Sequence, residues 1–291
     1  MPLAASGTLV SRAAAAGTAV AAFNVITLEH VEAVIGGAEA AGAPVILQVS
    51  ENAVGFRHGR LLPLARAAAA AGEQASVPVG LHLDHVQSGE LLRQAADAGF
   101  SSVMYDAARL PYEENLAATR AAADWAHANG LWIEAELGEV GGKAVPGRPA
   151  PAAPLSAHAP GARTDPEEAR AFVAGTGVDA LAVAIGSTHA MTHRTAALDH
   201  GLLRRIAPAA GVPLVLHGSS GVPDAELAAA VAGGIAKVNI GTALNLAMTT
   251  ALRAFLTAHP EAVDSRAYLT AGRAAMAETV TRLIGVVSAA S

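Results

Sequence analysis

The chain has 291 residues, of which 52% are hydrophobic and 15% are charged, and it carries a formal net charge of −6 and no cysteine. This composition supplies a large apolar core and excludes an intrinsically disordered chain. The net negative charge argues against nucleic acid or an anionic membrane as a partner, and without cysteine any metal site must use imidazole and carboxylate ligands. The first 17 residues lack the apolar core of a signal peptide and no later segment has the length of a membrane span, so a cytoplasmic location is expected.

Short β-branched runs alternate with longer alanine-rich stretches along the chain, which is the pattern of βα units around a parallel sheet. Eight strands are predicted, at about 19–24, 44–49, 77–83, 101–105, 131–136, 179–185, 213–216 and 235–240. A helical tail is predicted within 266–287, and the other predicted helices are at about 28–41, 60–72, 88–98, 111–129, 166–174, 199–208, 224–232 and 242–258. Eight regular units favour closure over the alternative of an open doubly wound sheet. The sequence therefore predicts one α/β domain spanning 1–291, a single (β/α)₈ TIM barrel with a long loop after strand 5 and extra C-terminal helices.

One segment breaks this rhythm. Residues 141–163 are rich in proline, glycine and alanine and show no helical or strand period. A loop of this length inside a domain is usually functional or disordered. Its place after strand 5 predicts a lid over the barrel mouth, and the alternative is an insertion that lies in solvent.

Chemically useful side chains occur at the downstream end of each predicted strand. They are acids, imidazoles, amides and a hydroxyl, namely Asn24, Ser50, Asp84, His85, Asp106, Glu136, His189, His217 and Asn239. The carboxyl ends of all strands in a parallel barrel meet at one rim, where barrel enzymes place their active sites. These residues are therefore predicted to form an active site.

Three of the histidines suit a metal ion. His85, His189 and His217 follow strands 3, 6 and 7, and three neutral imidazoles with one open position are a known ligand set for catalytic zinc. Any one of them alone is more often a structural histidine, and it is their joint placement that predicts the site.

The acids near these histidines have two interpretations each. Asp84 directly precedes His85, so it is predicted to be a general acid/base beside the metal, and the alternative is a partner that orients a histidine. Asp106 and Glu136 are candidates for a second metal position or for hydrogen bonds to the ligands, and the alternative is an ion pair at the barrel rim.

Two glycine-containing turns, HGSSG at 217–221 and NIGT at 239–242, follow strands 7 and 8. Barrels commonly bind phosphate at this position through backbone N–H groups and a helix N-terminus. The predicted phosphate-binding residues are Gly218, Ser219, Ser220, Gly241 and Thr242. A structural turn is the alternative for either segment alone.

These motifs together resemble the class II, zinc-dependent ketose-bisphosphate aldolases, a group that includes fructose-1,6-bisphosphate and tagatose-1,6-bisphosphate aldolases. The similarity runs in order from about residue 7 to 285. The matching segments are AFNV (22–25), LHLDH (81–85), SVMYD (102–106), EAELGEVGG (134–142), HAPGARTDPEEA (158–169), AIGSTH (184–189), LVLHGSSG (214–221) and KVNIGT (237–242).

The resemblance implies a metal-dependent lyase that cleaves or forms the C3–C4 bond of a ketose (bis)phosphate, giving dihydroxyacetone phosphate and an aldehyde, with zinc stabilising the enediolate. It implies that His85, His189 and His217 hold the zinc. It also implies that Asp84 donates a proton to the aldehyde oxygen in condensation and acts as the base in cleavage. The family members are usually dimers or tetramers.

Further roles are implied by position. Asp106 and Glu136 match acids that hold a second or displaced metal position in the family. Asn239 matches a contact to the dihydroxyacetone phosphate moiety, and Asn24 and Ser50 match contacts to the aldehyde portion. The residues that match the phosphate cradle, which in relatives is helped by a monovalent cation (Na⁺ or K⁺), are Ala190, Gly218, Ser219, Ser220, Gly241 and Thr242.

The chain departs from the family at several positions. Lys143 and Ala144 follow the glycine pair at 141–142, where family members carry an acidic proton shuttle, and His158, Glu139 or a water are the candidate substitutes. Ala190 and Ser219 replace glycines, and an alanine pair at 107–108 replaces Gly-Ser. The sequence does not choose among fructose, tagatose and other ketose phosphates. The alternative functions are a phosphosugar isomerase or epimerase and a non-catalytic phosphosugar-binding protein.

Overall fold

Eight parallel strands close into a barrel in which each strand pairs with its neighbours in chain order, and β1 pairs with β8. The structure, a computed structural model, describes residues 3–138, 140 and 163–289. The strands are β1 Val20–Asn24, β2 Val45–Ser50, β3 Val79–Val86, β4 Ser102–Tyr105, β5 Trp132–Leu137, β6 Ala180–Val183, β7 Leu214–Leu216 and β8 Ile235–Ile240. The predicted (β/α)₈ barrel is confirmed.

Eleven α-helices lie in the described part of the chain. They are α1 Ser6–Ala15, α2 Leu28–Ala41, α3 Glu51–Phe56, α4 Leu62–Gln74, α5 Gly89–Gln94, α6 Tyr112–Ala128, α7 Pro166–Thr176, α8 His200–Ala210, α9 Asp224–Ala232, α10 Thr242–Ala258 and α11 Ser265–Ser288. Two of them, α1 and α3, were absent from the predicted elements. The helix predicted over 88–98 is shorter than expected, because α5 ends at Gln94 and a turn follows it.

Side-chain caps mark where several helices begin. The Ser88 side chain accepts from the Leu91 amide at the start of α5, and the Asp165 side chain accepts from the first amides of α7. Each cap satisfies helix donors that have no partner within the helix. The starts of these two helices are therefore encoded locally.

Helix α1 closes the floor of the barrel. Leu9 and Val10 are buried against inward-facing Val20, Ala22 and Ile46. The inner face of the strands then becomes polar toward their carboxyl ends. Ser50 of β2 pairs with Asp84 of β3, and Asn24 of β1 pairs with Gln48, two residues before Ser50. Successive side chains of a strand alternate between its two faces, so Asn24, Ser50 and Asp84 share the inner face and open onto the mouth.

The predicted lid lies almost wholly outside the described residues. Of 141–163 only Arg163 is described, and its guanidinium donates to Asp199 at 2.7 Å. The candidate substitutes Glu139 and His158, and the Lys143 and Ala144 departures, also lie outside the described residues. The lid stays a prediction.

Candidate active site

A cavity of about 490 Å³ opens at the carboxyl ends of the strands. Twelve of the residues singled out from the sequence line it, namely Asn24, Ser50, Asp84, His85, His189, Ala190, Gly218, Ser219, Ser220, Asn239, Gly241 and Thr242. The other three, Asp106, Glu136 and His217, do not line the cavity and are buried at the same end of the barrel. The structure therefore brings all fifteen candidate residues to one end of the barrel.

The neighbouring residues Asp84 and His85 both line the cavity, although strict strand alternation would turn one of them away from it. The pairing of β3 with β4 shifts register between Leu83 and Val86, and His85 has a left-handed φ of 52°. An irregularity of this kind re-aims a side chain next to a site. The LDH segment can therefore present a carboxylate and an imidazole to the same space.

The three predicted metal ligands form one cluster. The ring centroids of His85, His189 and His217 are 4.7 to 5.8 Å apart, and one donor atom from each lies within 4.8 Å of the others. Nitrogens that share a tetrahedral zinc ion at 2.0–2.1 Å are about 3.4 Å apart, so a small inward movement of the rings would complete the geometry. The residues present fit a zinc ion.

Two acids hydrogen-bond these histidines. The Asp106 carboxylate lies 3.0 Å from His85 Nδ1, and the Glu136 carboxylate lies 2.9 Å from His217 Nδ1. A carboxylate at Nδ1, as at His85, fixes the ring orientation and tautomer of a metal-binding histidine. The His217 ring differs, because it has a second carboxylate, Glu134, at Nε2. The arrangement fits the hydrogen-bonding interpretation of the two acids.

Sequence reasoning missed two charged residues behind the histidines. Glu134 and Lys237 are fully buried; Glu134 Oε1 is 2.8 Å from His217 Nε2, and Glu134 Oε2 is 2.8 Å from Lys237 Nζ. Burial raises the pKa of Glu134, but the Lys237 ammonium and the hydrogen bond from His217 lower it well below its ordinary value. Burial would lower the pKa of His217, and the hydrogen bonds to Glu134 and Glu136 instead raise it to about 9. The signal that could have found this pair is the period of two, because 134 and 136, like 237 and 239, fall on one strand face.

Asp84 is buried and ionised. One oxygen accepts from the Asn24 amide at 2.7 Å, and the other, 4.0 Å from His85 Nε2, has no hydrogen-bond partner among the described residues. Burial raises the pKa of Asp84, but its electrostatic interactions with the imidazoles of His85 and His82 hold it below its ordinary value. The carboxylate therefore combines an anchored oxygen with one that is available to accept a proton.

The turn after β7 packs tightly against the segment that carries His189. Gly218 has a φ of 64°, and a Cβ there would lie 2.6 Å from the Thr188 carbonyl. The Ser220 hydroxyl accepts from the Ala243 amide at 3.0 Å and so caps the first turn of α10. Ala190 has a φ of 58°, in the left-handed region that favours glycine. These turns and the N-terminus of α10 surround the part of the cavity predicted to bind phosphate.

Helix α3 contributes lining residues that the sequence did not reveal. Ser50 is its N-cap and accepts from the Ala53 amide at 3.2 Å, and Glu51, Asn52 and Gly55 follow it into the cavity wall. The signal available was the serine and acidic pair directly after strand 2, which is typical of a helix start. Gln87 and Asn245, from the β3 connection and α10, complete the missed polar lining.

The closed barrel and a histidine cluster that could hold a metal ion at its mouth place this chain among the (β/α)₈ barrel proteins, and comparison with known proteins gives its family. Residues 5–291 match the family described as fructose-bisphosphate aldolase class II, and the chain belongs to that family. This membership supports an aldolase activity, which is a lyase reaction.

Curated relatives and solved structures agree with this assignment. The chain is 38% identical to the probable fructose-bisphosphate aldolase of Bacillus subtilis over 282 residues, which cover 96% of this chain and 95% of the relative. It is 37% identical to the fructose-bisphosphate aldolase of Staphylococcus aureus, with the same coverage. The crystal structure of the YdjI aldolase from Escherichia coli K12 has a TM-score of 0.81 and 31% identity, covering 99% of this chain and 98% of that chain.

A putative fructose-1,6-bisphosphate aldolase from Coccidioides immitis has a TM-score of 0.82 and 32% identity, covering 97% of this chain and 96% of that chain.

Among the described helices, none is both long enough and apolar enough to cross a membrane.

Proposed function

We propose that this protein is a zinc-dependent aldolase that reversibly cleaves the C3–C4 bond of a ketose phosphate to dihydroxyacetone phosphate and an aldehyde. One observation carries the proposal: three imidazoles from β3, the β6 connection and β7 converge within 4.8 Å of one another beside an ionised, buried Asp84. A free carboxylate next to a three-histidine metal site is what a metal-assisted proton transfer requires.

In this proposal His85, His189 and His217 hold the zinc ion, and Asp106 orients the His85 ring through its hydrogen bond to Nδ1. Glu136, which lies 2.9 Å from His217 Nδ1, would give up that contact when Nδ1 binds the ion. When bound, zinc supplies a Lewis acid that stabilises the negative charge developing on the ketose carbonyl oxygen. Asp106 also keeps the His85 ring in a fixed geometry, which lowers the cost of binding the ion.

Asp84 moves the proton. In cleavage its available oxygen removes the proton of the C4 hydroxyl, the C4–O bond becomes the aldehyde carbonyl as the C3–C4 bond breaks, and the electron pair of the C3–C4 bond passes to the C2 carbonyl group. C3 then takes up a proton from water to give dihydroxyacetone phosphate. In condensation the same carboxyl returns the proton to the aldehyde oxygen. Asn24 fixes the other oxygen at 2.7 Å, so the carboxylate cannot rotate away from the substrate.

The remaining lining residues bind and orient the substrate. The C1 phosphate lies against the turns after β7 and β8 and the N-terminus of α10, whose backbone amides and helix dipole favour an anion. Both polar atoms of the Asn239 side chain are buried without a hydrogen-bond partner among the described residues, which suits contact with the dihydroxyacetone phosphate moiety. Asn24 and Ser50 border the aldehyde end. A sodium or potassium ion at the phosphate, and a homodimer or homotetramer, belong to the same proposal by resemblance.

The test is a panel of ketose mono- and bisphosphates on zinc-loaded protein, scored by a coupled assay for triose phosphate release. We expect release from at least one substrate. Replacing Asp84→Asn should lower the rate by about 10²–10⁴-fold, the usual range for a lost general acid/base, without changing the zinc content. The control is Asp97→Asn, the same change at an exposed position, which should leave the rate unchanged.

A second variant tests the metal assignment. His217→Ala should reduce bound zinc well below one ion per chain. Unchanged zinc content would remove His217 from the ligand set, and full activity of Asp84→Asn would refute its role. Interconversion of a sugar phosphate without triose release would indicate an isomerase or epimerase instead.

A further inference from the structure

The interior of this barrel carries charge below its active site. Barrel interiors are usually filled with layers of branched apolar side chains, yet Gln48, His82, Glu134 and Lys237 are all fully buried here. Two of them, Glu134 and Lys237, form an ion pair with Nζ and Oε2 at 2.8 Å. A buried ion pair contributes little net stability compared with apolar side chains of similar volume. The fold alone therefore does not account for this pair.

The Glu134–Lys237 ion pair contacts the histidine cluster through a single atom, Glu134 Oε1. Glu134 Oε1 lies 2.8 Å from His217 Nε2, while Oε2 of the same carboxylate is bound by Lys237. Lys237 has only donors to offer, so it holds one oxygen and leaves the other to face the imidazole. The three residues form a chain from β8 through β5 to β7.

The two nitrogens of the His217 ring are not equivalent in this setting. Glu134 precedes Glu136 by two residues on β5, so it lies one inward-facing layer deeper in the barrel. His217 Nε2 therefore points toward the interior, and Nδ1, which lies 2.9 Å from Glu136, points toward the mouth. A ring whose proton is held on Nε2 presents the lone pair of Nδ1 to a metal ion, and the ion then replaces the contact between Nδ1 and Glu136.

We propose that Lys237 and Glu134 are positioning residues that keep the proton of His217 on Nε2 and so reserve Nδ1 for the metal. The proposal rests on the proposed function only in taking His217 as a metal ligand. Neither residue touches the substrate or the reacting atoms. Lys237 acts by orienting Glu134, and Glu134 acts by orienting the ring.

This arrangement makes an unusual prediction for Glu134→Gln. With Lys237 present, the single oxygen of the new amide turns to the ammonium, which accepts nothing, and its NH₂ group then faces His217 Nε2. That amide donates to Nε2 and forces the proton onto Nδ1, which blocks the metal-binding nitrogen. In the double variant Glu134→Gln/Lys237→Met the amide is free to turn its oxygen back to Nε2.

The experiment measures the zinc dissociation constant by chelator competition, without any sugar, for the wild type, Glu134→Gln, Lys237→Met and the double variant. We expect Glu134→Gln to weaken zinc binding by about 10–100-fold, the range for partners of metal-binding histidines, and the double variant to bind zinc more tightly than Glu134→Gln alone. Asp199→Asn, which breaks the partly exposed ion pair with Arg163, is the control and should not change zinc affinity. Circular dichroism confirms that each variant is folded.

A measurement on the wild type keeps the proposal testable if a variant does not fold. In zinc-loaded protein with ¹⁵N-labelled histidine, NMR should place the remaining proton of His217 on Nε2. A proton on Nδ1, unchanged zinc affinity in Glu134→Gln, or a double variant weaker than Glu134→Gln would each overturn the proposal. Zinc binding with the expected variant pattern but no triose release would leave it standing and refute the proposed aldolase activity.

Discussion

Adding one methyl group at Gly218 should damage this protein far more than adding it at another glycine with the same backbone conformation. Gly218 and Gly42 have φ values of 64° and 62°. A Cβ at Gly42 would meet nothing within 4 Å, whereas a Cβ at Gly218 would lie 2.6 Å from the carbonyl carbon and oxygen of Thr188. Ordinary contacts between carbon atoms are about 3.5–4.0 Å, so the backbone on one side must move.

The two costs can be separated. A left-handed conformation costs an alanine roughly 1–2 kcal/mol, and this is all that Gly42→Ala should lose in its free energy of unfolding. Gly218→Ala carries the same term plus about 1–3 kcal/mol for overpacking against backbone, giving a total of about 2–5 kcal/mol. Thr188 precedes His189, so the displaced chain also moves one of the predicted metal ligands.

Urea denaturation of both variants, with zinc content measured beside it, tests this reasoning. We expect Gly218→Ala to unfold at a clearly lower urea concentration than Gly42→Ala and to retain less zinc. Equal midpoints for the two variants, with full zinc content in both, would show that the turn after β7 relaxes freely and that its packing against Thr188 does not hold the site.

Three further changes should behave as follows. Asp106→Asn should weaken zinc binding by about 10-fold in a chelator competition, because the amide replaces the carboxylate on His85 Nδ1; unchanged affinity would contradict an orienting role. Phe172→Ala, at a fully buried core position, should cost about 3–5 kcal/mol of unfolding free energy while zinc content stays at the wild-type level. Asp224→Asn should cost less than about 1 kcal/mol at neutral pH because its ion pairs are partly exposed. Its arginine partners lower the pKa of Asp224 in the folded state. The difference in unfolding free energy between wild type and variant is therefore present above the ordinary pKa of 3.8 and should vanish as the pH falls through the lowered pKa. A difference in stability that persists in acid would exclude the ion pairs as its cause.

The barrel was predictable because its signals are local and repeated. Each strand is a short apolar run, each helix is longer, and the order of units allows few topologies. Once closure is assumed, residues at the strand ends converge, which is why the positions of His85, His189 and His217 could be anticipated from residues 132 apart in the chain. Their convergence follows from topology and needs no side-chain detail.

Other features depend on contacts between distant segments, for which the local signal is weak or absent. Helix α1 is a weakly patterned stretch that is helical because Leu9 and Val10 pack against the barrel floor. The period of two places Glu134 and Lys237 on the inner faces of their strands, but it does not reveal that they pair, because they lie on different strands 103 residues apart. The irregularity that brings Asp84 and His85 to one cavity depends on how β3 pairs with β4, which the sequence of β3 alone does not encode.

Backbone strain is concentrated at the predicted metal site. In the described part of the chain only three non-glycine residues have a positive φ, and two of them, His85 and Ala190, line the cavity. Each such residue costs on the order of 1–3 kcal/mol, and it persists only where surrounding structure holds it. His85 is held by Asp106 at 3.0 Å, and Ala190 follows the segment packed under Gly218. The geometry of the site is therefore maintained by the rest of the barrel against local preference, so substitutions that loosen this packing should affect metal binding before they unfold the protein.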